Sequence, residues 1–585
     1  MKRLTALLLC LCMCMPFACV CAWASCAVVE TPLWDDNGQI GSMKLRFYTD
    51  KPRVAYAGIK AYMAAVGREV TVTPQEDGTW VVADPEGHTL TVDPAAGTAY
   101  TEDWNGFQKD TLSGIKDKYS IKDTDCKWTM VTGIEITGEP KPVTFDFGKY
   151  GIAVYANKDD VYLPLALLAD MMEDESLNLI LYNGEKLFRY SGRVDNLYTL
   201  VNGYYESQYM KDYFSGAVPR GEDLIRESYA ELCFVMDYFY GHPGVAPLDE
   251  AVAEKGLDAA TSDLPDGEQI REALHSADFA EFYDGLNDLI CDGFYDGHTT
   301  ITSMAMMQEL CGEQQANYLR LMAKILEGYS RTSYVDMQSG KLLISRTRDK
   351  AWGEETYREC GSTAVIRMDD FTPDEKGWIA WNAGEGEMPM DTLGIVYTGL
   401  EKAAANPAIR NVVFDLTNNG GGSQDMMAAI VGLIADTVVM DGYNVLTGQL
   451  LTADFQTDKN MDGVIDGQDK TAKYDFHYAV LTSARAFSCG NVFPFIMQDL
   501  GAAVIGEPTG GGSCAVQAVV LSDGTPLLMS SYQWRMQDEE GRPIEYGAQP
   551  DILLEGGAAT GDYSAFYDDE QLDRLVTAWF EAKKE

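Results

Sequence analysis

The stretch whose reading decides the fold runs from Tyr478 to Met497, YAVLTSARAFSCGNVFPFIM. Both ends are apolar, and the centre puts a hydroxyl, a thiol and a glycine in a row at Ser488, Cys489 and Gly490. A turn needs only the glycine and the asparagine that follows, so Ser488 is the residue to account for. The first apolar run reads as a buried strand and the second as a helix. Ser488 then stands at a strand-to-helix junction, where free N–H groups and the helix dipole favour negative charge. A serine there is a helix cap or a nucleophile. Taken alone, the cap is the simpler reading.

The flanking sequence repeats the same grammar. STAVIRMDDF (Ser362–Phe371) and IRNVVFDLT (Ile409–Thr417) read as strands, and DTLGIVYTGLEKAAAN (Asp391–Asn406) as a helix. NNGGGS (Asn418–Ser423) is a glycine loop that opens the helix QDMMAAIVGLIA, and AAVIGEPTGGGS (Ala502–Ser513) ends in a second such loop. Strands alternating with helices predict an α/β architecture with parallel strands, whose sites gather at the carboxyl ends of the strands. NNGGGS lacks the lysine of a P-loop and is not GxGxxG, whereas its bare backbone could aim N–H groups at an oxyanion. Two glycine loops and a serine in one α/β unit suit acyl transfer better than phosphate binding.

The rest of the chain divides by pattern. Residues 30–200 alternate apolar and polar positions between turn residues, as in EVTVTPQEDGTWVVADPEGHTLTVDP, and predict a β-rich N-terminal module closed by a hairpin at Asn183-Gly184. Residues 205–340 carry apolar positions at helical spacing in GEDLIRESYAELCFVMDYFYG, ADFAEFYDGLNDLICDGFYDG and ANYLRLMAKILEGY, and predict a helical region. Residues 345–585 hold the α/β core. With 585 residues the chain is too long for one core.

A net charge of −45 argues against nucleic acid or an anionic membrane surface as partner. Residues 1–25 read as a targeting segment: basic MKR, an unbroken apolar run, and the small-residue site Ala22-Trp23-Ala24. Export with cleavage is the first expectation, making the protein secreted or cell-surface. Retention as a membrane anchor is the second. Six of the thirteen cysteines lie in the first 26 residues. The other seven show no metal-binding spacing.

One motif stands apart. DKNMDGVIDGQD (Asp458–Asp469) has the oxygen-ligand ladder of an EF-hand or dockerin Ca²⁺ loop. Asp458, Asn460, Asp462 and Asp469 would supply side chains, Val464 its carbonyl, and Asp466 a direct or water-bridged contact. The position-12 ligand is Asp rather than Glu. The competing reading is an acidic solvated turn. A bound Ca²⁺ would be structural, fixing the connection into the Ser488 strand.

VVFDLTNNGGGS, AVLTSARAFSCGNVFPFIMQDLGAAVIGEPTGGGSC and YGAQPDI, in that order, resemble the core of the C-terminal processing peptidases, the tail-specific serine proteases. The likeness covers about residues 360–555 and implies a ClpP/crotonase-like core that hydrolyses peptide bonds in protein or peptide substrates. It places the nucleophile on Ser488 and the oxyanion N–H groups near Gly421 and on Cys489. Many members carry a lysine base after GEPT, but GEPTGGGSC (Gly506–Cys514) has none. The tricorn-core-like branch uses histidine instead. Of the five histidines, His298 in FYDGHTTI resembles the DGHT of that branch, and the likeness makes it the base. By the same resemblance Glu545, in PIEYGAQPDI, would orient it; an exposed loop carboxylate is the alternative. A bridge between Cys489 and Cys514 would clamp the oxyanion region. Two rival functions remain at this level: a catalytically inactive peptide-binding protein on the same scaffold, and a Ca²⁺-dependent cell-surface assembly module.

Overall fold

The computed structural model describes residues 25–35, 38–108, 128–172, 179–190, 212, 217–301, 334–538 and 540–583. The targeting segment, the third expected helix at 316–329, Cys126 and Cys311 lie outside them. Among the described residues no helix is long and apolar enough to cross a membrane.

The core is the expected α/β unit. Strands β1 (Tyr357–Cys360), β2 (Thr363–Arg367), β3 (Asn411–Asp415), β4 (His477–Thr482), β5 (Ala503–Gly506) and β6 (Ile552–Leu553) form one sheet in that order. From β2 onward every pairing is parallel; only the β1–β2 hairpin is antiparallel. The continuous apolar runs follow from burial on both faces. Ala364, Ile366, Val412, Phe414, Val480 and Val504 join one core with helices α2 (Thr392–Ala405), α3 (Gln424–Ile434) and α4 (Cys489–Asp499). Their neighbours in sequence, Val365, Val413, Ala479, Leu481, Ala503 and Ile505, join a second core with Ile344 and Trp352 of helix α1 (Tyr334–Trp352) and with Leu572 and Val576 of helix α5 (Asp569–Ala582). The period of two thus sorts each strand between two cores.

The β-rich and helical regions are present as expected. Strands at 71–74, 80–83, 89–93, 98–101 and 143–146 form one antiparallel sheet, and residues 26–58 contribute three strands to another, which the hairpin 179–190 joins at its edge. Helices Glu222–Phe239 and Phe279–Gly293 match the predicted amphipathic runs. These regions are built into the core rather than strung before it. Strand Thr129–Thr137 pairs antiparallel with strand Leu450–Thr457, which the sequence did not mark as a strand. Trp104 donates from Nε1 to the Tyr532 hydroxyl (2.9 Å), and Asn105 donates from Nδ2 to Thr447 Oγ1 (2.9 Å) and Gln449 Oε1 (2.7 Å).

One ion cluster anchors α1 to the sheet. Arg348 donates to both oxygens of Asp369 (2.7 and 3.1 Å) and to Asp415 (3.3 Å), the last residue of β3. Arg348 and Asp415 are buried. Removing the guanidinium strands the Asp415 charge in the interior. Arg348→Met is expected to lower unfolding stability by about 3–5 kcal/mol, read from the midpoint of urea denaturation, with Arg348→Lys losing less.

Candidate active site

Three neighbouring parallel strands, β3, β4 and β5, end at the same edge of the sheet, and the loops that leave them are the ones singled out above. The loop after β3 carries Asn418–Ser423, that after β4 carries Ser488, and that after β5 carries Gly510–Ser513. The topology alone therefore brings both glycine loops onto Ser488, from either side.

Ser488 has φ 55°, ψ −125°, a left-handed conformation that a residue with a Cβ adopts at a cost of about 1–3 kcal/mol. Its N–H donates to the Gly511 carbonyl (2.9 Å), and its carbonyl accepts from Asn491 (2.8 Å) and Val492 (2.9 Å) at the start of α4. Its hydroxyl makes no capping bond to α4. The helix-cap reading, the simpler one from sequence, is therefore not what Ser488 does. The glycines are needed by space: a Cβ on Gly421 (φ 102°) would sit 2.7 Å from Ser488 Cβ, and one on Gly512 (φ 92°) 2.6 Å from Ser488 N.

The two expected oxyanion donors differ in availability. The Cys489 N–H makes no hydrogen bond among the described residues. The Gly421 N–H instead donates to Asn419 Oδ1 (2.8 Å), a side chain the sequence gave no reason to single out. The N–H of the next residue, Gly422, lies against the Cys489 thiol. The two loops are tied by the Cys489 thiol, which donates to the Gly422 carbonyl (3.2 Å). Burial, with Asp425 nearby, pushes that thiol up to about 12, so it is neutral and a poor nucleophile. Cys489 and Cys514 are both free cysteines, and the bridge considered from sequence is not formed. Their partners explain why: Cys489 faces Gly422, whereas Cys514 faces the Gly241 carbonyl (3.7 Å).

His298 reaches the site from a different sheet. Strand Thr300–Ile301 pairs with Leu527 and Leu528 of strand Pro526–Arg535, which is hairpin partner to strand Cys514–Val520 leaving the Gly510–Ser513 loop. Asp296 shapes the turn: it accepts from the N–H groups of His298 (2.9 Å) and Thr299 (2.6 Å), from Thr299 Oγ1 (2.8 Å) and from the Tyr240 hydroxyl (3.0 Å). The His298 ring packs on Phe487, one residue before Ser488, with centroids 4.9 Å apart. Burial pushes the imidazole below its usual value, against the pull of Asp296. Its ring nitrogens make no hydrogen bond to Ser488 or Glu545 among the described residues.

Glu545 sits in the short turn Ile544–Tyr546 and accepts from the Gly512 N–H (2.9 Å) and the Ser513 N–H (2.6 Å). It is thus no idle loop carboxylate: it pins the loop whose Gly511 carbonyl holds Ser488. Burial pushes its carboxyl up, these bonds oppose that, and Asp296 adds to it. Asn491, also missed as a site residue, joins the same parts: its Nδ2 donates to the Ile544 carbonyl (3.1 Å), and its Oδ1 accepts from the Ala548 N–H (3.2 Å) and from Thr509.

The acidic loop 458–469 lies apart from these residues and turns its side chains on its own backbone. Asp458 accepts from the N–H groups of Asp462 (3.2 Å) and Gly463 (2.7 Å), Asp462 from Val464 (2.9 Å), and Asp469 from Lys459 (2.8 Å) and Asp466 (2.8 Å). Among the described residues no group of three or more His, Cys, Asp or Glu side chains is gathered as a metal site. Burial and the charges of Asp469 and Asp462 raise Asp458 to about 6.

Residues 362–554 match the model of peptidase family S41. No curated protein matches. Among solved structures, a candidate peptidase from Parabacteroides merdae ATCC 43184 is 15% identical over 60% of this chain and 96% of its own, with TM-score 0.38. The photosystem II D1 C-terminal processing protease is 18% identical over 35% of this chain and 47% of its own (TM-score 0.24), and the tricorn protease 18% over 41% and 19% (TM-score 0.24).

The crowding around Ser488 yields a prediction. Gly421→Ala adds a Cβ against Ser488 at an unfavourable φ. Labelling of Ser488 by a fluorophosphonate probe is expected to fall at least about tenfold, with the protein still folded but at a Tm lowered by the strain. Unchanged labelling would show that the two loops do not constrain the serine.

Proposed function

From its S41 peptidase-family core, residues 362–554, we propose that this protein is an exported serine endopeptidase acting through an acyl-enzyme. The observation that supports this best is Ser488: a left-handed residue held between two glycine loops, with its hydroxyl free of the helix-cap role. Its Oγ attacks the scissile carbonyl of an extended peptide, and His298 accepts the proton and passes it to the leaving amine. The N–H of Cys489, with that of Gly422 beside it, receives the oxyanion. Water then releases the acyl group by the reverse proton transfers. Glu545 acts as a positioning residue, through the Gly510–Ser513 loop, and comes to orient the imidazole once substrate draws the site together. Export, by the segment before residue 26, would deliver this activity outside the cytoplasm, secreted or attached to a membrane.

Casein hydrolysis by wild type, Ser488→Ala and His298→Ala tests the reading. Both variants are expected to be folded and to lose at least about a hundredfold in rate. A base works only when neutral, and burial holds the His298 imidazole below its ordinary value of about 6.5, so the acid limb of kcat/KM should have its midpoint below pH 6.5. An inert wild type whose Ser488 also resists fluorophosphonate would favour the binding-protein alternative.

We propose further that the loop 458–469 takes a structural Ca²⁺, through side-chain oxygens of Asp458, Asn460, Asp462, Asp466 and Asp469 and the Val464 carbonyl. Its support is the ligand chemistry at that spacing, with Asp458 raised by burial and then by the charges of Asp469 and Asp462, which a cation would offset. A carboxyl raised to about 6 contributes stability that is present at low pH and is lost as pH rises through 6. Ca²⁺ should therefore raise Tm more at pH 7 than at pH 5, and Asp458→Asn should abolish the difference. Equal Tm with Ca²⁺ and with a chelator at pH 7 would sink the idea.

A further inference from the structure

A general base must be held as well as supplied, because its accepting nitrogen has to face the hydroxyl. In a Ser-His-Asp arrangement a carboxylate on the other ring nitrogen holds it. No carboxylate does so at His298. Its imidazole has no hydrogen-bond partner among the described residues. Asp296, two residues away, gives its oxygens to four donors, none of them on the ring. Glu545 accepts from the Gly512 and Ser513 amides. The group packed on the imidazole is instead the phenyl ring of Phe487, with centroids 4.9 Å apart and planes at 55°.

Phe487 is not placed there as core. It is half-buried and joins none of the hydrophobic clusters of the described residues. Its ring runs from the loop after β4, past the loop after β5, to the turn that carries His298. A Cβ on Gly512 would stand 3.0 Å from its Cζ, and one on Gly297 would stand 2.8 Å from its Cε2 and closer still to Cζ. Both glycines have positive φ, 92° and 85°. The tip of the ring thus fills a slot that one glycine on each segment leaves open, and it cannot tilt toward either without meeting backbone. The Phe487 backbone is fixed too: its N–H donates to the Asn419 carbonyl (3.0 Å), and its carbonyl accepts from the Gly490 N–H (2.8 Å). The depressed imidazole agrees with this setting, since a carboxylate bonded to the ring would raise it.

We propose that Phe487 is a positioning residue whose ring orients the His298 imidazole toward Ser488 in the free enzyme. This rests on the peptidase reading above. Phe487 and Ser488 are consecutive, so the ring that carries the base and the hydroxyl it serves hang from one short piece of backbone. Base and nucleophile therefore keep their relative place when the surrounding loops shift, and Glu545 has only to close on an imidazole already aligned.

A double-mutant cycle tests this. Rates of fluorescein-casein hydrolysis and of fluorophosphonate labelling are compared in wild type, Phe487→Leu, His298→Ala and the double variant, with Phe487→Met run alongside in case the leucine variant does not fold. Phe487→Leu is expected to lower kcat about 10–100-fold with KM little changed. In the His298→Ala background the same substitution should cost nothing further, because a residue that acts through the base has nothing left to act on. A side chain that served only the fold or the Ser488 backbone would multiply the two losses. The second readout is the His298 Cε1–H proton resonance at pH 8, assigned by its absence in His298→Ala. It should shift in Phe487→Leu as the ring current is lost. Multiplied losses, an unchanged kcat or an unmoved His298 resonance would each overturn the positioning role and leave the peptidase reading standing. A folded wild type that neither hydrolyses casein nor labels at Ser488 would overturn the peptidase reading, and this role with it.

Discussion

The site depends on one backbone conformation. Ser488 holds a positive φ that glycine would adopt freely and serine does not. What sustains it is confinement: the Gly511 carbonyl takes its N–H, the first turn of α4 takes its carbonyl, and glycines 421 and 512 leave space for its Cβ and backbone. These contacts exist because three adjacent parallel strands release their loops at one edge. The strain at the serine is thus offset by the packing of the sheet, and the geometry at Ser488 is set by residues in the loops on either side of it.

A second layer of side chains keeps the loops in place. Asn419, Asn491, Glu545 and Asp296 each bind backbone groups of a segment other than their own strand or helix, or of the turn they sit in. Asn491 shows how little this layer depends on charge. A neutral amide both donates to Ile544 and accepts from Ala548, which a carboxylate could not do. The Asp296 carboxylate, with four donors, orders the turn that delivers His298.

Much of this could be read from the chain before folding. The strands around Val412, Val480 and Val504 declare themselves by apolar runs bounded by glycine, and the serine by its place between a strand and a helix. What stayed hidden depends on contacts between distant segments. Strand Leu450–Thr457 has mixed composition and gains its state from pairing with Thr129–Thr137. Asn419 looks like an ordinary turn residue until its amide oxygen is seen holding Gly421. Phe487 reads as one more apolar residue, and only the folded chain sets its ring against His298. The Cys489–Cys514 bridge, plausible from two loops flanking one site, fails because the thiols point to different neighbours.

The pairing of Thr129–Thr137 with Leu450–Thr457 bears on how the chain comes to be made. Thr129 is matched with Thr457 across most of the polypeptide, and Trp104 and Asn105 lock onto Tyr532 and Thr447. A nascent chain emerging amino end first would hold an unfinished sheet edge until those residues had been synthesised. The early β-structure would wait with its ladder open, vulnerable to wrong partners, and closure would come as one late event joining both ends.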